Sequence, residues 1–319
     1  MDKYSQNNPV KMKKEKFSVR HPGLKFFFIT FGSCLLVFGI AGTVFVLSIL
    51  TPSSTKNNSS NNNISNSIVP SSSAISDKDS FNMLLVTVDD SVNKPVQVAV
   101  FRLDELNNRM AITIIPLELL AASDSTTSIS DVFVAQGKAG LSTTITQITH
   151  ISINYTSVIK ASDLQSIIKK TSSINFNVPY DISCTNSDGS ITTVNKGNQS
   201  LTGDQIRAII SSTSYTDGNM ARYKIQGDLL KEFCKEKLSG YNLDNASSIF
   251  KDVFPLMQTS FQFNDFIGKI PTFKNISSQN NDYINIVPQN IIPKVIGNVS
   301  FFQYGTNASD LFFRYFNAK

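Results

Sequence analysis

Between Phe26 and Leu50 lie 25 residues without a charge, FFFITFGSCLLVFGIAGTVFVLSIL. Wound into a helix, such a run reaches about 37 Å, more than the roughly 30 Å apolar thickness of a bilayer. A cleaved signal peptide has a shorter apolar core and a small-residue cleavage site, and none follows in TPSSTKNNSS. The run is therefore expected to be an uncleaved anchor. Seven of the first 25 residues are basic (Lys3, Lys11, Lys13, Lys14, Lys16, Arg20, Lys25), against Asp2 and Glu15, and almost no charge follows the span. The positive-inside rule then leaves residues 1–25 in the cytoplasm and residues 51–319 outside, in a single-pass protein of the cell membrane.

The net charge of +5 resides in that tail, because the rest of the chain balances acids against bases. A nucleic-acid-binding domain would need its basic patch in the folded part, so nucleic acid is not expected as a partner. Residues 51–80 are a Ser/Asn tract with too few apolar side chains to offset the entropy of ordering, and read as a disordered stalk. A folded domain is expected over 81–319. Cys184 and Cys234 could form one bridge. Cys234 also shares a helical stripe with Leu230 and Leu238, which favours a buried thiol. With His21 and His150 the only histidines, a histidine zinc site or a Ser-His-Asp triad would rest on one residue.

Strands are expected at Met83–Val88, Val96–Leu103 and Arg109–Ile115, the first ending in Asp89-Asp90. Ile129–Ile174 reads as mainly helical, broken at Gly137 and Gly140. Asn186-Ser187-Asp188-Gly189 marks a hairpin turn within Asp181–Asn195. Thr202 and Gln205 have the spacing of a capping box. Arg222–Leu238 carries two apolar rows, Ile225/Leu229/Phe233 and Leu230/Cys234/Leu238, with Gly240 placed to end the helix. Only short helices and strands are discernible in 241–319.

The segments NMLLVTVDD (Asn82–Asp90), AITIIPLE (Ala111–Glu118), VNKGNQSLTGDQIRAII (Val194–Ile210) and the helix Asp217–Leu238 occur in this order behind the anchor. Together they resemble the LytR-CpsA-Psr (LCP) family over about residues 81–240. The resemblance implies an α/β domain with a mixed central β-sheet flanked by helices. It further implies transfer of anionic glycopolymers from a polyprenyl-pyrophosphate carrier to peptidoglycan, with a metal ion such as Mg2+ held by Asp89.

The departures are selective. The family grips pyrophosphate with arginines, whose forked guanidinium groups bind phosphate oxygens bidentately. Ser91, Leu117, Ser211, Thr213 and Ile225 stand where five of them would be, and the second metal-associated acid expected near Val96 is missing. Asp89, Glu118, Arg222 and Gln226 remain, with Arg207 on the helix face of a lost arginine. Asp89 and Arg222 are the candidate catalytic pair. Arg222, Gln226, Arg207 and Glu118 are the candidate binding residues. Arg222 either holds an anionic head group or pairs with Asp217 or Asp89, and Arg207 is expected to face solvent. The expected function is a catalytically degenerate envelope protein that binds a polyprenyl-phosphate lipid or wall glycopolymer in an apolar cleft. Two rivals stay open: an active phosphotransferase using Arg207, Arg222 and Lys224, and an envelope adaptor or sensor.

Overall fold

Alternation along the first three strands sends side chains into two cores. The computed structural model describes residues 80–319, apart from Asp90, Asp124, Ser187, Ser239, Asn280 and Asn281. The expected tail (1–25), membrane span (26–50) and nearly all of the linker (51–80) lie outside the described residues. Strand β1 spans Phe81–Asp89, β2 Lys94–Asp104 and β3 Arg109–Ile114. Leu84, Val86, Val88, Val98 and Val100 enter one core, while Phe81, Met83, Phe101 and Leu103 enter the other. A strand buried on both faces has no polar side, which accounts for the continuous apolar run in β1.

Strands β4 (Tyr155–Lys160), β9 (Met257–Thr259) and β10 (Ile284–Ile286) complete a sheet of order β10-β3-β2-β1-β4-β9. It is mixed: β1/β4 and β3/β10 are parallel, and the other pairs antiparallel. Strands β1 and β3 therefore run the same way, and Asp89 and the Pro116–Glu118 loop emerge at one edge. The helical reading of Ile129–Ile174 is corrected here, because Tyr155–Lys160 is a central strand of the sheet. The strand is only six residues long and lies between helices, so helical periodicity on both sides masked it.

Helix α1 (Ile129–Thr149) packs on the first face through Ile129, Phe133, Leu141 and Ile145. It opens with a capping box between Ser128 and Asp131 and breaks at Gly137, where φ is 64°. Gly140, by contrast, continues the helix. Helix α2 (Leu164–Thr171) follows β4. A separate small core gathers α2, the paired strands β5 (Ile174–Val178) and β8 (Gly197–Leu201), and the hairpin of β6 (Ile182–Thr185) and β7 (Ile191–Val194). That hairpin is the one expected from the Asn186–Gly189 turn.

Helix α3 (Gly203–Ser211) starts as the sequence indicated. The Thr202 hydroxyl accepts from Gln205 N, and Gln205 Oε1 accepts from Thr202 N at 2.9 Å. Thr202→Ala should remove about 1 kcal/mol of stability, read as a lower urea midpoint at unchanged slope. At its first turn α3 presses on α2. A Cβ on Gly203 would run into the Gln165 backbone and lie 2.6 Å from the Leu164 carbonyl oxygen.

Helix α4 (Gly218–Lys237) uses both apolar rows, Ile225 and Leu229 in the small core and Leu230 and Cys234 in the second face of the sheet. It ends at Lys237 with Leu238 as C-cap, ahead of Gly240. Gly240 instead opens α5 (Gly240–Asp244), followed by α6 (Ala246–Val253) and α7 (Phe263–Gln279) on the same face. A hairpin of β11 (Ile291–Ile296) and β12 (Val299–Tyr304) leads to α8 (Ala308–Phe316), which returns to the first face beside α1. Cys184 and Cys234 are free, and burial pushes the Cys234 thiol up to about 12. Among the described residues, no helix is long and apolar enough to cross a membrane.

Candidate functional site

The loop after β1 turns on Asp89. Its Oδ1 accepts from Ser91 N at 2.9 Å and from Ser91 Oγ at 2.6 Å, a side-chain turn that closes the strand end. Ser91 is one of the residues standing where the resemblance calls for arginine, and here it binds the carboxylate instead. Two further such positions are absorbed by packing: Leu117 belongs to the first-face core and Ile225 to the small core.

Glu118 is held from α4. Asn219 and Tyr223 lie four residues apart, on one helix face. Asn219 Nδ2 donates to Glu118 Oε1 at 3.2 Å, and the Tyr223 hydroxyl donates to Oε2. The same hydroxyl accepts from Leu117 N at 3.0 Å. Burial, and then the Glu118 charge, push the Tyr223 hydroxyl well above the usual tyrosine range, so it remains a donor. Sequence reasoning missed Tyr223 and Asn219; their four-residue spacing ahead of a buried row was the available signal.

Arg222 and Gln226 face inward, and both meet backbone. Arg222 Nη2 donates to Val96 O at 2.9 Å and to Ile210 O at 3.4 Å. Gln226 Nε2 donates to the same two oxygens, at 3.2 and 2.9 Å. Arg222 is 4% exposed and Gln226 is fully buried. Neither Asp217 nor Asp89 pairs with Arg222: among the described residues it makes no ion pair. Arg222 Nε and Gln226 Oε1 are buried without a partner. The two side chains tie the start of β2 to a carbonyl at the end of α3, where no intrahelical donor remains. Close by, α4 lies flush on the sheet, since a Cβ on Gly227 would touch Ile286 and Ile114 at 3.4 and 3.5 Å.

Arg207 is not turned freely to solvent as expected. Its side chain is 25% exposed; Nη2 donates to Asn186 Oδ1 at 3.0 Å and lies 3.8 Å from Asp204. The Cys184 thiol reports on this corner. Burial pushes it up, more than the Arg207 charge pulls it down, and Asp89 adds to the rise.

A divalent ion on Asp89 would find Oδ2 as the carboxylate oxygen not already bonded by Ser91. Magnesium takes one or two carboxylates plus substrate phosphates, and the phosphates in turn need cations to hold them. Arg222 faces backbone, and Glu118 is occupied by Asn219 and Tyr223. No group of three or more metal-binding side chains occurs among the described residues. Among the described residues the donor set does not fit Mg2+.

The open cavity of this region lies elsewhere, between α4 and the β5–β8 pair. It has a volume of about 950 Å³, and its lining includes Asn177, Asn198, Tyr180, Asp217 and Lys224. The lining is mixed: Phe176, Pro179 and Ile225 stand beside those polar side chains.

The fold is shared with solved structures at low sequence identity. Bacillus subtilis TagV superposes with a TM-score of 0.62 at 17% identity, covering 75% of this chain and 98% of that one. A protein described as a putative transcription regulator from Eubacterium siraeum gives 0.64 at 17%, covering 78% and 96%. A structure of TagT bound to LI-WTA gives 0.56 at 14%, covering 73% and 87%. No curated protein matches the sequence. The sequence model of the LytR_cpsA_psr family matches residues 44–312. That match spans most of the chain, and the strand order, the Asp89 corner and the Arg222–Gln226 pair fall within it: the chain belongs to the LytR_cpsA_psr family.

Proposed function

We propose that this chain is a membrane-anchored, extracytoplasmic LCP-fold protein that has lost phosphotransfer and serves as a binding module for cell-wall glycopolymer. The observation that carries the loss of chemistry is the burial of Arg222 on Val96 O and Ile210 O. Phosphoryl transfer needs positive groups aimed at the charge that develops on the leaving phosphate. Here the one mapped arginine is directed at backbone, and two mapped arginine positions are core leucine and isoleucine. Anchoring is supported by the charge-free run 26–50 behind a basic tail. The glycopolymer assignment is supported by family membership and by the structural likeness to TagT bound to LI-WTA.

The active rival rests on Arg207, whose guanidinium is held at the β6–β7 hairpin by the Asn186 carboxamide. The full chain in detergent, given Mg2+ and a polyprenyl-pyrophosphate-linked saccharide, separates the two readings. We expect no release of polyprenyl phosphate above the protein-free blank. Turnover that disappears in both Asp89→Asn and Arg207→Gln would replace the non-catalytic reading with the active one.

A further inference from the structure

Exposed apolar side chains gather at the end of the sheet where β1 and β3 stop. Val92 follows Asp89 in the β1–β2 turn, and Met220 sits beside the Asn219 that bonds Glu118; both are exposed. The β11–β12 hairpin adds Ile292, Val295 and Val299. It is rooted at the same end, because Phe302 N donates to Glu118 O at 3.0 Å and Leu120 N donates to Phe302 O at 2.9 Å. Lys294 Nζ adds a bond to Ser123 O at 2.6 Å. From Val295 to Ser309 the chain carries no charge.

We infer that the tip of this hairpin inserts into the phospholipid surface at which the domain is anchored. Two features of the ladder select a lipid over a protein. The tip is apolar on both faces. Val295 shares a face with Ile291, Phe302 and Tyr304, which enter the core, whereas Ile292 and Val299 lie on the other face. Val295 is 69% exposed and Val299 54%. A protein laid against one face would leave the other in water, while a bilayer surrounds both. The free edge of the hairpin also resists a further strand. Phe302 turns its N–H and C=O to Leu120 and Glu118, so its ladder partner Pro293 points its backbone away from β12, toward the open edge. Proline has no N–H to offer there.

Insertion presupposes the anchored reading proposed above, and the chain is long enough for it. The domain is entered at Phe81, at the opposite end of β1 from Asp89. Nine residues of strand separate the two ends by about 30 Å. Residues 51–80 can reach as far as about 100 Å, so a connection from Leu50 can pass the height of the sheet. Once the chain is held at a bilayer, docking becomes intramolecular, and a small apolar tip holds where it would not between separate molecules. The contact fixes which end of the domain faces the lipid.

The chain has no tryptophan, so Val295→Trp introduces a single reporter. The full chain is reconstituted in vesicles of phosphatidylcholine and phosphatidylglycerol, with and without lipid brominated on its acyl chains. We expect blue-shifted emission that the brominated lipid quenches, from a depth of about 5–10 Å, the range of other interfacial segments. Quenching should persist at high salt, since the contact is apolar. Adding Val299→Asp should abolish it, with thermal unfolding unchanged because both sites are exposed. Leu106→Trp, in the β2–β3 turn at the other end of the sheet, should emit as in water. Flotation of the same vesicles reads the anchor separately. A chain that floats while the Val295→Trp reporter stays unquenched overturns the insertion and leaves the anchored reading standing; a chain that does not float overturns both. Equal quenching of the Leu106→Trp reporter, or a blue shift at Val295→Trp without quenching, which would mark a protein contact, also overturns it.

Discussion

Arg222→Ala should unfold at a urea concentration about 1 M below the parent, a loss of about 3 kcal/mol. The side chain is almost wholly buried and donates to two carbonyls that belong to different elements, β2 and α3. Hydrogen bonds from a charged donor contribute about 1.5–3 kcal/mol each, and truncation also leaves a cavity. Gln226 still reaches both oxygens, so the carbonyls are not fully orphaned and the loss stops short of the sum. Arg222→Met separates a positioning role from a ligand-binding one. If the guanidinium holds the fold, methionine fills the space but still destabilises. A methionine variant as stable as the parent, or more so, would mark an uncompensated charge retained for an anion. The structural account of Arg222 would then fall.

Gly203→Ala should be comparably severe. One methyl group adds almost nothing in an open helix start, and alanine is normally the better helix former. Here the methyl would enter the backbone of Leu164 and Gln165. Backbone cannot rotate out of the way as a side-chain tip can, so α2 and α3 must move apart. A cost of about 3 kcal/mol is expected, which for a domain of this size lowers the melting temperature by about 10 °C. Scanning calorimetry of the full chain checks it. A change under about 1 °C would show that the two helices approach less closely than described.

The same two positions show how far the residues could be read. Gly203 lies within the Val194–Ile210 segment that carries the family resemblance, and the capping box beside it was legible because caps are local chemistry. What Gly203 presses against is set by α2, some 40 residues earlier, and no local pattern carries that contact. The strands β1, β2 and β3 were legible for a similar reason: their apolar runs and the polar turns between them lie within a short stretch of sequence. Strand β4 was not, because its partner β1 is distant in sequence and Tyr155–Lys160 is too short to oppose the helical signal around it. At the candidate site, Asp89, Glu118, Arg222 and Gln226 were identifiable as residues. Their partners were not, because Val96 O and Ile210 O are backbone atoms that every sequence possesses. The groove between α4 and the β5–β8 pair was invisible, since its walls come from three elements distant in sequence, and each reads alone as an ordinary solvated face.

The side chain of Asn82, near the start of the first strand, donates to Ser152 O and to Phe316 O, both at 3.0 Å, and Lys319 N donates to His150 O. The opening of the domain is thus fastened to its last few residues. At synthesis rates of about 5–20 residues per second, Asn82 waits roughly 10–50 s for Phe316 to exist. Both edge strands of the sheet, β9 and β10, also arrive late. Until α8 is made, the first face of β1 and β2 is covered by α1 but still lacks Phe312 and Phe316. The chain therefore depends, while it is being made, on whatever keeps an unfinished sheet from finding another, and a premature stop anywhere in α8 would extend that dependence indefinitely.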